Sequence, residues 1–171
     1  DAQGIQTTYD YDDLGRLVKT TRAGITPATT TYYTSETYEG LKLTGRVKST
    51  EDMNGDVTFY EYEIEPEGAW GFSTWVEKKI TTQHYGTADP IETYTIQDAL
   101  GRTVASKNAR GVETKTFYRD EAREQTTETW YQNEKLSWTT TFYNVDGTQS
   151  EQWSWQLSEP GTSPPEQSDR K

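Results

Sequence analysis

The sequence predicts an all-β fold of consecutive antiparallel β-hairpins that form one large curved repeat sheet, and three observations support it. Aromatic residues make up 13% of the 171 residues, with 12 Tyr and 6 Trp, although hydrophobic residues reach only 30%. Aromatic and β-branched side chains suit a pleated, half-buried surface better than a helix. Polar and apolar residues also alternate in short runs, and glycine-containing turn sequences separate these runs. A chain of this length is expected to form one domain.

Gly-Arg turns open three of the predicted strands, at residues 14–18, 44–48 and 100–104. Glycine permits the backbone of a tight turn, and the planar guanidinium of arginine pairs with a carboxylate of the same or a neighbouring hairpin. In the first and third copies an aspartate stands three positions before the glycine. We therefore expect these glycines to form turns, the arginines to bridge hairpins and the aspartates to accept their hydrogen bonds. The residues are Asp12, Gly15, Arg16, Gly45, Arg46, Asp98, Gly101, Arg102 and the further turn glycine Gly111.

Strand patterns are clearest in the middle and C-terminal parts of the chain. Tyr60, Tyr62 and Ile64 alternate with glutamates, which predicts a strand with one solvent-facing side after a turn at Asn54-Gly55. Residues 126–131 and 135–141 are expected to pair through a turn at 132–134, and residues 136–143 and 148–157 through a turn at 144–147. No helix is predicted. Residues 158–171 are rich in Pro and Ser, so we expect a hairpin-repeat domain over 1–157 and a flexible tail over 158–171.

The stretch YDYDDLGRLV at residues 9–18 resembles the Rhs or YD-repeat family, whose loose signature is a turn glycine, a Tyr-Asp pair and then Gly-Arg-Leu. The full match comprises Gly4, Tyr11, Asp12, Gly15, Arg16 and Leu17, and a partial match comprises Asp98, Gly101, Arg102 and Gly111. The Tyr-Asp pair is missing near Gly45. The resemblance implies that Tyr11 and Leu17 belong to the structural repeat motif together with the turn residues.

The resemblance also implies a fold and a role. In this family, a long sheet of hairpins spirals into a hollow shell in bacterial polymorphic toxins, insecticidal toxin complexes and teneurins, and bacterial shells often enclose a C-terminal toxic domain. This chain is then expected to be a structural segment of such a shell, secreted or at the bacterial cell surface, with the remainder of the same or a cleaved parent polypeptide as its partner. The family's paired Asp-Pro-x-Gly motif is absent at Asp89-Pro90, so no self-cleavage or toxin activity is carried over.

Charge and composition limit the expected partners. The formal net charge of -11 disfavours nucleic acid and anionic membranes, which repel an acidic protein. No apolar run is long enough to predict membrane insertion. The chain has no cysteine, which excludes disulfides and zinc-thiolate sites.

The sequence predicts no enzyme and no cofactor. From Asp10, the spacing of oxygen-bearing residues does not fit an EF-hand loop, although a looser calcium contact at Asp10, Asp12 and Asp13 stays conceivable beside their interpretation as turn residues. Glutamates that alternate along a strand are usually its solvated side rather than a glycosidase pair. His84 is the sole histidine, and no nucleophile-elbow motif accompanies it.

Carbohydrate or cell-surface binding is the alternative function. An exposed aromatic row on a flat sheet stacks on sugar rings, whereas buried tryptophans would simply form the core. The candidate platform comprises Trp130, Trp138, Trp153 and Trp155, and Trp70 and Trp75 also lie on or near predicted strands. A polysaccharide or a surface receptor would be the partner. The two functions differ in whether Trp153 and Trp155 are exposed.

Overall fold

A computed structural model describes residues 5–38, 41–66, 68 and 76–156. Over these residues the chain forms fourteen β-strands and one short 3-10 turn, Asp120–Ala122. The strands are β1 (Thr7–Tyr11), β2 (Leu17–Arg22), β3 (Ala28–Tyr32), β4 (Thr37–Tyr38), β5 (Leu41–Lys42), β6 (Val47–Glu51), β7 (Val57–Glu65), β8 (Val76–Gln83), β9 (Ile91–Gln97), β10 (Thr103–Lys107), β11 (Glu113–Arg119), β12 (Glu124–Tyr131), β13 (Glu134–Tyr143) and β14 (Gln149–Gln156). The predicted tail at 158–171 lies outside the described residues.

Twelve of these strands form a single antiparallel sheet in the order β1-β2-β3-β6-β7-β8-β9-β10-β11-β12-β13-β14. Each strand pairs with the next one along the chain, except that the separate β4–β5 hairpin is inserted between β3 and β6. Five of the strand pairs in the described part of the chain contain a register shift. Bulges of this kind bend a strand and increase its twist. The predicted all-β fold of consecutive antiparallel hairpins is confirmed, and the open sheet is consistent with a curved repeat sheet.

The C-terminal hairpins lie where the sequence predicts them. The turn between β12 and β13 is formed by Gln132 and Asn133, whose φ angles are 49° and 67°. Asn is tolerated in this left-handed region because its short side chain bonds locally. Between β13 and β14 the turn uses Gly147, with a φ of 80°. Leu157, the predicted end of β14, lies beyond the described residues.

Strand β7 differs from its prediction. Glu61 is exposed, but Glu63 and Glu65 are half-buried, so the strand does not have one uniformly wet side. The cause is Lys78 on β8, whose Nζ lies 3.1 Å from Glu63 and 3.6 Å from Glu65. Because β7 and β8 pair along their whole length, the cation covers both carboxylates.

The main apolar core lies near the centre of the sheet. It consists of Val76, Tyr94, Ile96, Val104 and Ala105, against which three partly buried residues of β8 and β11 pack. The four described tryptophans lie outside this cluster and are half-buried. Tyr33 and Leu43 are buried elsewhere, beside the β4–β5 hairpin. The core therefore covers only part of a long sheet, and polar contacts must hold the remainder.

Candidate functional site

Five hairpin turns share one backbone pattern, which we call the Asx-Gly turn. Its first residue donates its N–H to the carbonyl of the fifth residue, and its fourth residue, glycine, donates back to the carbonyl of the first, at 2.8–3.0 Å. The glycines have φ angles of 74–84°, which favours glycine over residues with a Cβ. The five turns are Asp12 to Arg16, Asp52 to Asp56, Asp98 to Arg102, Asn108 to Val112 and Asn144 to Thr148.

The first residue of the Asx-Gly turn also acts through its side chain. In four of the turns its Oδ1 accepts hydrogen bonds from the N–H groups of the third and fifth residues, as at Asp12 and Asn108. Short Asx side chains commonly bond to the backbone two residues ahead. Sequence analysis recognised the glycines of these turns but not the complete pattern. The signal that identifies it is Asp or Asn three positions before glycine.

The second Gly-Arg copy is an expanded version of the same turn. Tyr33 takes the place of the Asx residue: its N–H donates to the Arg46 carbonyl at 2.9 Å, and Gly45 donates to the Tyr33 carbonyl at 2.8 Å. Eleven residues, 34–44, separate Tyr33 from Gly45, where the other turns have two, and they include the β4–β5 hairpin. The missing Tyr-Asp pair near Gly45 is thus explained by an insertion that separates Tyr33 from Gly45.

Arg16 and Arg102 pair with the aspartates of their own turns. Their Nε atoms donate to Oδ2 of Asp12 and Asp98 at 2.7 Å. Hydrogen bonds from the Arg16 side chain and N–H hold the pKa of Asp12 below its usual value. At Asp98 burial acts to raise the pKa, but the hydrogen bonds from Arg102 outweigh it and the pKa is lowered. Arg102 reaches further, to Oδ1 of Asp120 in the 3-10 turn after β11, at 2.8 Å.

Arg46 binds a carboxylate on a more distant strand rather than one of its own turn. Both of its terminal nitrogens donate to the carboxylate of Glu77 on β8, one of them at 2.9 Å. Bidentate pairs of this type are strong and fix geometry. The hydrogen bonds to Glu77 raise the pKa of Arg46 above its usual value. The expected bridging role is thus taken by a contact from the turn before β6 to β8.

All three arginines also lie over a tyrosine ring that follows sixteen positions later. The guanidinium carbon lies 4.1 Å from the ring centroid for Arg16 and Tyr32, 4.8 Å for Arg46 and Tyr62, and 4.1 Å for Arg102 and Tyr118. These distances fit cation–π contacts.

Two of these tyrosines also bond to the residue that follows the arginine. The Tyr32 hydroxyl donates to the Leu17 carbonyl at 3.1 Å, and that of Tyr62 to the Val47 carbonyl at 3.2 Å. We call this unit the Gly-Arg bridge: a turn arginine over a tyrosine of the next hairpin. Sequence analysis missed the tyrosines. The signal that could have identified them is a tyrosine sixteen positions after the arginine of each Gly-Arg pair.

The remaining motif residues have simpler environments. Tyr11 is 62% exposed and Leu17 is 38% exposed, facing each other across β1 and β2. Gly111, with a φ of 78°, completes the Asn108 to Val112 turn, close to the Tyr131 ring. This turn has no arginine at its fifth position, because residue 112 is valine.

The four candidate platform tryptophans lie on three adjacent strands, β12, β13 and β14. The Nζ atoms of Lys115 and Lys135 each lie 5.0 Å from the centroid of the Trp130 ring. The indole N–H of Trp130 donates to the carboxylate of Glu128 at 2.9 Å. Trp138 on β13 faces Trp155 on β14. Trp153 packs edge-on against Phe142, with 5.9 Å between the ring centroids. Two lysines thus lie over the Trp130 ring, and all four of these tryptophans are half-buried. Trp70 and Trp75 lie outside the described residues.

Metal binding and acid–base chemistry both depend on how titratable side chains are placed relative to one another. No group of three or more His, Asp or Glu side chains there is placed to hold a metal ion. His84 lies 3.1 Å from Asp56 through Nδ1, at the end of β8. No helix among the described residues is long and apolar enough to cross a membrane.

Comparison with known proteins identifies the first repeat. Residues 1–26 match the family model described as RHS Repeat. No curated protein matches the chain. The matched segment contains β1, the Asp12 to Arg16 turn and β2, that is, the first Gly-Arg turn and its aspartate. The first 26 residues are thus similar to an Rhs repeat, the family that the motif of residues 9–18 resembles.

Proposed function

We propose that this Rhs-type structural repeat protein forms a segment of the wall of a β shell that encloses or displays a C-terminal toxin or effector domain. One observation carries the proposal: three Gly-Arg bridges, at Arg16, Arg46 and Arg102, each fasten one hairpin to the next along the twelve-stranded sheet. A wall needs such cross-links because an isolated hairpin is only marginally stable in water. Repetition of one unit with contacts between neighbours is how repeat proteins extend a structure.

The proposal includes a scaffold role without catalysis. Its partner is the remainder of the same or a cleaved parent polypeptide, and its location is outside the cell or at the bacterial cell surface, which is typical of Rhs repeat proteins. Neither nucleic acid nor an inserted membrane is expected as a partner, because the net charge of -11 repels polyanions. No cofactor is needed for this role.

The test measures how well the wall shields the domain behind it. In a parent polypeptide that carries this segment, limited proteolysis should leave the C-terminal domain intact in the unmodified protein. The combined change Arg46→Ala and Arg102→Ala should accelerate its cleavage, since two bridges are lost. Arg110→Ala is the matched control, because Arg110 is an exposed arginine of an Asx-Gly turn that stacks on no ring among the described residues.

The two results have different meanings. Rapid cleavage only in the doubly substituted protein supports a wall that encloses the domain. The alternative result is that all three proteins are cleaved as fast as the separate C-terminal domain. That result would show that the segment does not shield the domain, and the segment would then be a spacer that displays it.

Carbohydrate or receptor binding is the second candidate, supported by one observation. Trp153 and Trp155 alternate with exposed polar residues on the edge strand β14, and both are half-exposed. An intrinsic tryptophan fluorescence titration with a panel of polysaccharides tests it. A saturable shift with one glycan class, abolished in Trp155→Ala but retained in Trp130→Ala, would favour binding over the scaffold role.

A further inference from the structure

A groove of about 460 Å³ crosses β2, β3, β6 and β7 and reaches the end of β8. Four threonines line it, and we call it the threonine groove. Thr30, Thr50 and Thr58 face one another in a row across β3, β6 and β7, and Thr20 lies on β2. Because neighbouring strands lie about 4.8 Å apart, the row is about 10 Å long. Short side chains along the row leave space above the sheet.

The hydroxyls of these four threonines form no hydrogen bond with any other residue that the structure describes, although all four side chains are half-buried. Threonines elsewhere in the sheet do pair, as Thr31 does with Ser49 at 2.7 Å and Thr126 with Thr140 at 2.8 Å. A hydroxyl both donates and accepts, and one without a protein partner bonds to water or to a ligand. The groove therefore presents a row of hydroxyls to whatever occupies it.

Three carboxylates and one ammonium lie beside the threonines. Glu51, Asp52, Asp56 and Lys19 all line the groove. Hydrogen bonds from the backbone N–H groups of Asp56 and Asn54 hold the pKa of Asp52 below its usual value. The groove therefore carries a net negative charge at neutral pH, which attracts an ammonium group and repels a carboxylate or a phosphate.

The end of the groove at β8 supplies an amide and an imidazole, from Gln83 and His84. Nδ1 of His84 lies 3.1 Å from Oδ1 of Asp56, and the Thr87 hydroxyl donates to the His84 carbonyl at 2.7 Å. These contacts hold the imidazole beside the carboxylate. Within the described residues, Oδ2 of Asp56 takes part in no hydrogen bond, so one oxygen of this carboxylate remains for a ligand.

We infer that the threonine groove binds a hydroxyl-rich ligand of one or two sugar rings and prefers an amino sugar to an acidic one. The threonine hydroxyls and the Gln83 amide exchange hydrogen bonds with the sugar hydroxyls, and Asp56 pairs with the ammonium. The volume of about 460 Å³ falls within the usual range for small-ligand sites.

This site is separate from the functions proposed above. No described tryptophan lines the groove, so it does not depend on the edge tryptophans of β14. It also contains none of the arginines of the Gly-Arg bridges, so it does not depend on the scaffold role.

The test titrates the whole protein with three methyl glycosides that share one ring and differ in charge: those of glucosamine, glucose and glucuronic acid. NMR signals of the threonine methyl groups report where each sugar binds. We expect saturable shifts at the groove threonines in the millimolar range. The amino sugar should bind most tightly and the acidic sugar most weakly, because of the charge of the groove.

Thr50→Val tests the hydroxyl row, since it removes the central hydroxyl and keeps the branched side chain. It should weaken binding of the amino and neutral sugars by about 2- to 10-fold, the range for one hydrogen bond. Thr139→Val is the matched control. Thr139 is also half-buried and forms no side-chain hydrogen bond with the described residues, but it lies on β13 outside the groove. The control should leave affinity unchanged.

Asp56→Asn tests the charge preference. It should reduce the preference for the amino sugar over the neutral sugar by about 2- to 5-fold, as expected for an exposed ion pair. Asp13→Asn removes an exposed turn carboxylate outside the groove and should leave this preference unchanged. Unfolding midpoints check that each variant is folded.

Three results would overturn the inference: no saturable shift with any of the sugars at tens of millimolar, equal binding to the unmodified and Thr50→Val proteins, or equal affinity for the amino and acidic sugars. Loss of sugar binding in Trp155→Ala would also overturn it, because the ligand would then belong to the edge tryptophans. The shielding test uses Arg46 and Arg102, which lie outside the groove, so failure of either test leaves the other proposal standing.

Discussion

The arginine of each Gly-Arg bridge combines two kinds of contact in one side chain. Its edge donates to a carboxylate, and its face lies over a tyrosine ring. A planar guanidinium can do both, whereas the ammonium of lysine offers neither a bidentate edge nor a stacking face. This explains why arginine follows the turn glycine in all three copies.

Arg46→Ala should lower the free energy of unfolding by about 1 to 3 kcal/mol, because it leaves Glu77 without its bidentate partner and uncovers Tyr62. Urea unfolding at neutral pH measures this change. The control substitution Arg110→Ala should change the free energy of unfolding by no more than about 0.5 kcal/mol. Equal midpoints for both variants would show that the bridge adds no stability. A double-mutant cycle with Glu77→Ala isolates the pair.

The lowered pKa of Asp98 predicts a dependence of stability on pH. Its folded pKa lies below its unfolded value, so the unfolded state binds more protons as the pH falls. The contribution is present above the unfolded value of about 3.9 and is lost as pH falls through the folded pKa. Asp98→Asn should be less stable at about pH 6 and lose less stability toward about pH 3. Asn108 shows that asparagine keeps the backbone bonds of this turn. An unchanged pH slope would contradict the assignment.

At the scale of elements, the Asx-Gly turn is the repeated unit and the Gly-Arg bridge is an addition to it. Among the described residues, five turns share the backbone pattern, but only those at Arg16 and Arg102 also carry the arginine, and the expanded turn before Arg46 carries it without an Asx residue. The turn fixes register, because its two backbone bonds set which residues face each other across the hairpin. The arginine then fixes how one hairpin lies against the next.

The inserted β4–β5 hairpin should be dispensable for sheet topology. Replacing residues 33–46 by the five residues of the 98–102 turn should preserve pairing of β3 with β6, since the same turn bonds form. Stability should fall by about 2 to 5 kcal/mol, the usual cost of losing a buried leucine, because Leu43 is only 6% exposed. Amide protection in β3 and β6, with urea unfolding, measures both effects. Loss of that protection would show that the insertion determines the topology.

At the scale of the whole molecule, burial is concentrated in the middle of a long sheet. Ile96 and Val76 are almost completely buried, whereas all residues of β1 are exposed. Local opening should therefore begin at the edges. Hydrogen exchange should be slowest in β9 and β10 and fastest in β1 and β14. Exchange as slow in β1 as in β9 would mean that the edge is covered, for instance by self-association.

Much of the architecture was predictable because turns and strand patterns are local. Asn54-Gly55 and Asp146-Gly147 indicate hairpins through backbone preferences that need no knowledge of neighbours. The half-burial of Glu63 and Glu65 was not predictable in this way, since it depends on Lys78 of the next strand. Likewise, the sequence alone does not show that Lys115 and Lys135 of the adjacent strands place their Nζ atoms over the Trp130 ring.

The sequence by itself determined the fold class, the positions of the turns and the Rhs repeat motif, because each depends on residues close together in the chain. The tertiary structure decided what the motif's arginines hold: Tyr32, Tyr62 and Tyr118 from the next hairpin, and Glu77 from a distant strand. It also decided that Tyr11 faces an open edge. These contacts join residues that only the pairing of strands brings together, and a guanidinium recognises its partners by spatial proximity and geometry rather than by position in the chain.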